Sequence, residues 1–159
     1  MEIGNFDNLN DSQIRDVGAE ILEHMMHPKN YGELIDAQGV GMGVDMKTGE
    51  FAIVYINIED EKVDGIQFGA NACQDTVVAG SLFTEMVKGD TLENAIKAAQ
   101  LMDEKLEVAP KKQQACSRLV LRGFDAALKN RENKLNGSDE EMHKMSIKET
   151  CDIPEEESK

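Results

Sequence analysis

The sequence predicts an α+β domain with a small antiparallel sheet of about three strands and helices packed on one face of it. Residues 51–58 form an apolar, β-branched run typical of a strand, and the acidic residues 59–61 separate it from a second strand at 62–68. Several other segments carry apolar residues at helical spacing. A chain of 159 residues is long enough to bury one ordinary core.

The first helix is predicted to begin at Asp11-Ser12 and to end before Pro28. Residues 1–10, which precede it, are polar, and we expect a flexible N-terminus there. The helix carries an apolar stripe of Ile14, Val17, Ile21 and Met25.

A glycine-rich segment follows at residues 39–43, with glycine at three of its five positions. A phosphate-binding loop would need a preceding strand, a following helix and, in its commonest type, a Gly-Lys-Ser/Thr ending. The segment has none of these features, so we exclude nucleotide binding and expect a flexible loop or an edge strand.

Three more helices are predicted after the hairpin. One starts near Asp75 or Thr76, either of which can act as its N-cap, and it ends at Gly89. The next is capped by Asp90-Thr91, and the last spans about 113–130. Their apolar faces are Val78, Leu82 and Met86; Leu92, Ala95, Ile96 and Ala99; and Leu119, Val120, Phe124 and Leu128.

These elements define a folded domain at residues 11–131, and the composition changes after it. Residues 132–159 are polar and acidic, with only scattered apolar side chains. Such a segment cannot bury much apolar surface, so we predict an acidic tail that is disordered or forms only a short transient helix. Cys151 lies in this tail and is interpreted as a bystander thiol.

Charge and cysteine content limit the class of function. The formal net charge of -14 argues against nucleic acids or anionic membranes as partners and is compatible with metals and basic protein surfaces. Three scattered cysteines do not make a disulfide framework, and no apolar run is as long as a membrane span. The chain also does not start like a secretory leader, so we expect the reducing cytoplasm.

Two cysteines of the folded domain are candidate functional residues. Cys73 directly precedes a predicted helix, whose N–H groups favour a thiolate, and Cys116 lies beside another predicted helix start. The alternative is that both are buried, inert thiols. His24 and His27, three positions apart on the first helix, are close enough to share a metal or are ordinary helix-end residues.

Three segments between residues 21 and 128 resemble a known family. His27-Pro28-Lys29-Asn30-Tyr31-Gly32 is similar to its Asn-Pro-Arg-Asn-x-Gly motif. Ala72-Cys73-Gln74, followed by the segment 81–89, resembles its Gly-Cys-Gly helix ending in Thr-Glu-x-Val-Lys-Gly. Ala115-Cys116-Ser117 stands where the family has His-Cys-Ser. The family is the U-type iron–sulfur cluster assembly scaffolds: IscU, SufU and the N-terminal domain of NifU.

The resemblance implies a NifU/IscU-like fold and a scaffold or carrier rather than an enzyme. Such a protein holds a nascent iron–sulfur cluster, receives sulfur from a cysteine desulfurase and passes the cluster to apo iron–sulfur acceptor proteins. A transient 2Fe–2S cluster is the implied cofactor, with zinc as an alternative metal. A homodimer bridged by a cluster is a further hypothesis, because two chains would supply four cysteine thiolates.

The sequence departs from the family at three site positions. Thr48-Gly49-Glu50 stands where the family has Cys-Gly-Asp, so one sulfur-accepting thiol is missing. Ala115 replaces the histidine that precedes the last family cysteine. Asp45 is a second candidate for the carboxylate if the alignment of this loop shifts.

The ligands that the resemblance implies are therefore Cys73, Cys116 and Glu50. A fourth ligand could come from an exogenous thiol, a partner protein, His24 or a second protomer. Two other functions stay open: a cluster-free paralogue that regulates or adapts a cysteine desulfurase, and a carrier of persulfide sulfur on Cys73.

Overall fold

The structure is a computed structural model that describes residues 11–151, with side chains from residue 19 onward. The class is α+β, as the sequence predicts. In chain order the elements are α1 (Asp11–Met26), β1 (Gly39–Val44), β2 (Phe51–Glu59), β3 (Lys62–Asn71), α2 (Gln74–Val87), α3 (Leu92–Leu106), α4 (Lys111–Leu135) and β4 (His143–Ser146). The N-terminus predicted to be flexible, 1–10, and residues 152–159 lie outside the described residues.

The four strands of the described part form one sheet in the order β3-β2-β1-β4. Antiparallel pairs join β1 to β2 and β2 to β3, and these three strands are the predicted antiparallel sheet. The hairpin between β2 and β3 turns at Asp60 and Glu61, whose φ angles of 52° and 62° place both in the left-handed region. The fourth strand, β4, pairs in parallel with β1 and was not predicted.

The glycine-rich segment is strand β1, and it lies between β2 and β4 rather than in a flexible loop or at the sheet edge. Gly39, Gly41 and Gly43 alternate along the strand, so all three face the same side. A Cβ atom at Gly41 or Gly43 would overlap backbone atoms of α4. The glycines therefore allow α4 to approach the sheet closely, and this requirement explains their spacing.

The core lies between the helices and one face of the sheet. Strand β2 buries every second residue against it, and the rings of Phe83 and Phe124 join α2 to α4 at a centroid distance of 5.0 Å. Gly80 lies against the ring of Phe68, so α2 contacts the sheet through small side chains. The fully buried apolar side chains include Val54, Ile56, Val63, Ile66, Phe68, Leu119, Leu121 and Phe124.

Two predicted apolar faces differ from the observed ones. On α1, Ile21 and Met25 are 36% and 39% exposed while His24 is buried; Ile14 and Val17 have side chains outside the described part. On α2, the buried face consists of small and polar residues together with Phe83 and Val87, and the predicted Val78, Leu82 and Met86 are only partly buried. The apolar spacing identified both helices but not the sides that they bury.

The predicted acidic, disordered tail is wrong for residues 132–151. Helix α4 continues to Leu135, and the segment after it forms β4 and then buries Ile147 and Cys151. The buried Asn130 side chain donates to the Glu140 backbone oxygen at 3.1 Å and accepts from Val40 N at 2.9 Å. The segment is ordered because backbone and side-chain hydrogen bonds compensate for its low apolar content.

Candidate functional site

The structure brings Cys73 and Cys116 together, although 43 positions separate them in sequence. Cys73 is the N-cap residue of α2, and Cys116 lies in the second turn of α4. Their sulfur atoms are joined as a disulfide, with the two Cα atoms 6.6 Å apart. Cys73 is half-buried and Cys116 is fully buried, so the pair is reached from solvent on the Cys73 side.

Thr76 connects the two cysteines. Its hydroxyl donates to the Cys116 backbone oxygen at 2.9 Å, and Thr76 Oγ1 also lies 3.4 Å from Cys73 Sγ. The sequence suggested Asp75 or Thr76 as the N-cap of α2, but both lie within its first turn, and Cys73 occupies the cap position. A thiol at the start of a helix lies near unpaired N–H groups and the positive end of the dipole, which favour its thiolate.

Asp45, in the turn between β1 and β2, is a buried anchor rather than an available ligand. Its carboxylate accepts hydrogen bonds from Lys47 N at 2.9 Å, Thr150 Oγ1 at 2.9 Å and Cys151 N at 2.6 Å, and a longer one from Thr48 N. Burial alone would raise the pKa of Asp45, but these hydrogen bonds outweigh it and lower the pKa to about 2. The charged carboxylate thus holds both its own turn and the end of the described chain.

Glu50 lies beside Cys151 in the same turn region. Burial, together with the neighbouring carboxylates of Glu50 and Asp45, raises the pKa of Cys151. Cys151 is therefore a protonated thiol at neutral pH. Within residues 19–151, no hydrogen-bond partner satisfies the buried Glu50 Oε2 atom.

The ligand set implied by the sequence is therefore only partly assembled. The structure joins Cys73 to Cys116 and places Glu50 with Cys151, the thiol that the sequence analysis treated as a bystander. Thr48, which the sequence resemblance matches to a family cysteine, is exposed, and its hydroxyl accepts a hydrogen bond from Glu50 N at 3.1 Å. In the part of the chain that the structure describes, no three His, Cys, Asp or Glu side chains are positioned to hold a metal ion.

His24, a sequence candidate for a fourth ligand, is used in packing α1 against α2. Its Nδ1 atom lies 2.5 Å from Ser81 Oγ, and its Nε2 atom lies 3.3 Å from Glu85 Oε2. Ser81 Oγ also accepts from Lys29 N at 2.7 Å, and the Glu85 carboxylate accepts from the Nε2–H of His24. Both ring nitrogens are thereby engaged.

An ion-pair cluster holds the C-terminal part of the described chain against α3 and α4. Arg118 contacts Asp103 at 3.2 Å, Glu107 at 2.8 Å and Glu149 at 3.2 Å, and Arg122 also pairs with Asp103. Burial opposes the charged form of Arg118, but the three carboxylates raise its pKa. Sequence reasoning missed this cluster and the link from Thr76 to Cys116, which it considered only as a helix cap, since neither set of contacts has a local pattern.

Comparisons with known proteins agree with this fold. The model of the NifU-like N-terminal domain matches residues 17–137. An iron-sulfur cluster assembly scaffold protein, IscU 1 of Archaeoglobus fulgidus, is 32% identical over 102 residues, which are 64% of this chain and 67% of that protein. The scaffold protein IscU of Haemophilus influenzae is 31% identical over 115 residues, covering 69% of this chain and 90% of the relative.

The fold is also found in a solved structure, a nitrogen-fixing NifU-like protein (N-terminal) from Brucella abortus. It superposes with a TM-score of 0.62 at 20% sequence identity and covers 76% of this chain and 98% of that one. The protein is thus a small α+β domain whose candidate site, the pair of thiols, lies where two helices begin. The chain belongs to the NifU-like N-terminal domain family.

Proposed function

We propose that this chain is an iron–sulfur cluster assembly scaffold, with the cluster as its cargo. The observation that carries the proposal is the convergence of Cys73 and Cys116, from two distant helix starts, in one site. Relatives matching most of the chain are named as scaffold proteins of this kind. A scaffold needs ligands and not a catalytic set, which agrees with a site that consists of two thiols.

The donor chemistry of the pair favours a cluster over an isolated zinc ion. Reduced cysteine pairs are soft ligands for iron–sulfur clusters, which prefer thiolate. Structural zinc takes four protein ligands, and the pair supplies two. A transient 2Fe–2S cluster is therefore the proposed cargo, with Glu50 as an additional oxygen ligand after rearrangement of its turn. Zinc is the weaker alternative.

The proposed partners are a cysteine desulfurase that supplies sulfur and apo proteins that receive the cluster. The formal net charge of -14 supports docking on basic protein surfaces. Among the described residues, no helix is both long and apolar enough to cross a bilayer. The reducing cytoplasm, where thiols stay free to bind metal, is the proposed compartment. A homodimer sharing one cluster is proposed as a second way to reach four thiolates.

The test is anaerobic reconstitution of the reduced protein with ferrous iron and sulfide, followed by absorption spectroscopy and iron and sulfide analysis. We expect a coloured protein, with bound iron and sulfide falling to about a tenth or less in Cys73→Ser and Cys116→Ser, because each loses a thiolate ligand. Ala72→Ser is the matched control, since it adds the same hydroxyl beside the thiol and leaves both ligands in place.

The two alternative functions give different results in this assay. A colourless wild-type protein that still binds a desulfurase would support the regulator or adaptor. A stable added sulfur on Cys73 after desulfurase treatment, without bound iron, would support the persulfide carrier. Either result would contradict the scaffold function.

A further inference from the structure

The two thiols of the site differ in their access to solvent. Cys73, the N-cap residue of α2, is half-buried, whereas Cys116 in α4 is fully buried. A sulfur donor that arrives from solvent therefore meets Cys73 first. Because exchange between sulfur atoms depends on which of them can be reached, the two cysteines have different roles in such an exchange.

The pair is also placed for reaction with itself. The two sulfur atoms are bonded in this structure, and the Cα–Cα distance of 6.6 Å lies within the range that a disulfide spans. Thr76 contacts both residues, since its hydroxyl donates to the Cys116 backbone oxygen at 2.9 Å and lies 3.4 Å from Cys73 Sγ. After reduction of the disulfide, these contacts keep the Cys116 thiol within reach of Cys73 Sγ.

We propose that the pair itself releases sulfide: Cys116 attacks a persulfide formed on Cys73, and the products are the Cys73–Cys116 disulfide and free sulfide. The inference rests on the proposed scaffold function, which needs sulfide at the site, and it names the source of the electrons that produce it. The sulfur donor is a protein cysteine persulfide, which the proposed desulfurase partner would carry.

The reaction balances within the donor and the pair. The Cys73 thiol first takes the outer sulfur atom of the donor persulfide, and the donor leaves as a thiol. Cys116 then attacks Cys73 Sγ as a thiolate, so that the Sγ–Sγ bond forms and the bond to the outer sulfur breaks. The outer sulfur takes up two electrons, one from each cysteine sulfur, and leaves as HS⁻. The proton of the Cys116 thiol goes to solvent.

The arrangement of the pair favours attack on the inner sulfur atom of the persulfide. Cys116 Sγ is bonded to Cys73 Sγ in this structure, so this is the atom within its reach. Cys116 lies on the buried side of the pair, which leaves the solvent side of Cys73 for the added sulfur and for departing HS⁻. A dithiol reductant must then cleave the disulfide, and the same reduction returns both thiols for binding iron.

The test uses the reduced, metal-free protein, kept anaerobic in the presence of a chelator. It is mixed with a cysteine desulfurase that has been loaded with persulfide sulfur and separated from free cysteine, with no other reductant present. We expect about one free sulfide per chain, because each reduced pair supplies two electrons. Peptide mass spectrometry should find a disulfide between Cys73 and Cys116 and little added sulfur on Cys73.

Two variants, Cys116→Ala and Cys116→Ser, remove the attacking thiol and keep Cys73 as the sulfur acceptor. In both, sulfide release should be at least about tenfold slower and Cys73 should keep the added sulfur, because a thiol held in place reacts far faster than one in solution. Cys151→Ser is the matched control, since it removes a buried thiol outside the pair and should release sulfide like the wild type. Thermal unfolding checks that each variant is folded.

The outcomes separate this inference from the scaffold function. Stable added sulfur on wild-type Cys73, no transfer of sulfur to the chain, or equal sulfide release by Cys116→Ala would each overturn the inference. Reconstitution with ferrous iron and inorganic sulfide bypasses this reaction, so a protein that binds a cluster there but releases no sulfide here is a scaffold without this activity. Sulfide release by a protein that binds no cluster would support the reaction and contradict the scaffold function.

Discussion

The Cys73–Cys116 pair and Cys151 show how differently one residue type behaves in two parts of the same small domain. Cys73 is half-buried at the start of α2, where the helix end favours its thiolate. Cys151 is buried beside two carboxylates that raise its pKa and keep it protonated. Once reduced, the pair therefore offers a reactive thiolate at Cys73, whereas Cys151 stays an unreactive thiol.

The difference lies in how each thiol is positioned. Two helix starts carry the pair, so its geometry follows from the core packing of α2 against α4. Cys151 depends on a segment with little apolar surface and on one buried charge, Asp45. Changes at Asp45 should therefore affect Cys151 and leave the pair unchanged.

The largest expected difference is in alkylation rate. In the reduced native protein at pH 8, iodoacetamide should modify Cys73 at least about 100-fold faster than Cys151, because the thiolate is the nucleophile and Cys151 is both buried and protonated. Peptide mass spectrometry over time measures both rates in one sample. Similar rates at the two positions would contradict the assigned environments.

Asp45→Asn should be the most destabilising of the charge changes considered. It removes a charged acceptor of several hydrogen bonds and should lower the free energy of unfolding by about 2 kcal/mol. It should also speed alkylation of Cys151 more than that of Cys73. Urea unfolding checks the first effect, with the exposed Asp64→Asn as the matched control. Equal stability of the two variants would show that Asp45 is no anchor.

Asp45 should also make the stability of the protein depend on pH in the acid range. The folded-state pKa of Asp45 is about 2, below its ordinary value of 3.8, so its contribution is complete above pH 3.8 and is lost as the pH falls toward 2. Between pH 5 and about 2, the free energy of unfolding should therefore fall less in Asp45→Asn than in the wild type. Hydrogen bonds from Asn130, His143 and Asn133 also lower the pKa of Glu140 to about 2. The acid response of Glu140 is therefore the same in the wild type and in Asp45→Asn.

Glu149→Gln should have the smallest effect. It removes one of three carboxylates around Arg118, while Asp103 and Glu107 remain. The free energy of unfolding should therefore fall by less than about 1 kcal/mol. Urea unfolding with Glu141→Gln as an exposed control measures it. A loss as large as that of Asp45→Asn would mean that Arg118, rather than Asp45, is the main anchor of the segment.

Local patterns predicted the parts of the site that depend on helices and strands. The small-residue turn before a helix identified Cys73, and the apolar run at 51–58 identified β2. Strand β4 has the sequence His-Lys-Met-Ser, which lacks a strand pattern, and it forms because β1 offers it an edge. The link between Asp45 and Cys151 spans 106 positions and depends on burial of a charge, which no local signal reveals.

Native mass spectrometry of the reduced protein, after anaerobic incubation with ferrous iron, cysteine, a cysteine desulfurase and dithiothreitol to reduce the transferred sulfur to sulfide, is the most direct test of cluster assembly on Cys73 and Cys116. We expect a species heavier than the apo chain by one iron–sulfur cluster, absent in Cys73→Ser and present in Ala72→Ser. A cluster on a single chain would show that one chain supplies enough ligands, and a cluster on two chains would favour the bridged dimer. Only the apo mass, under all of these conditions, would contradict the scaffold function.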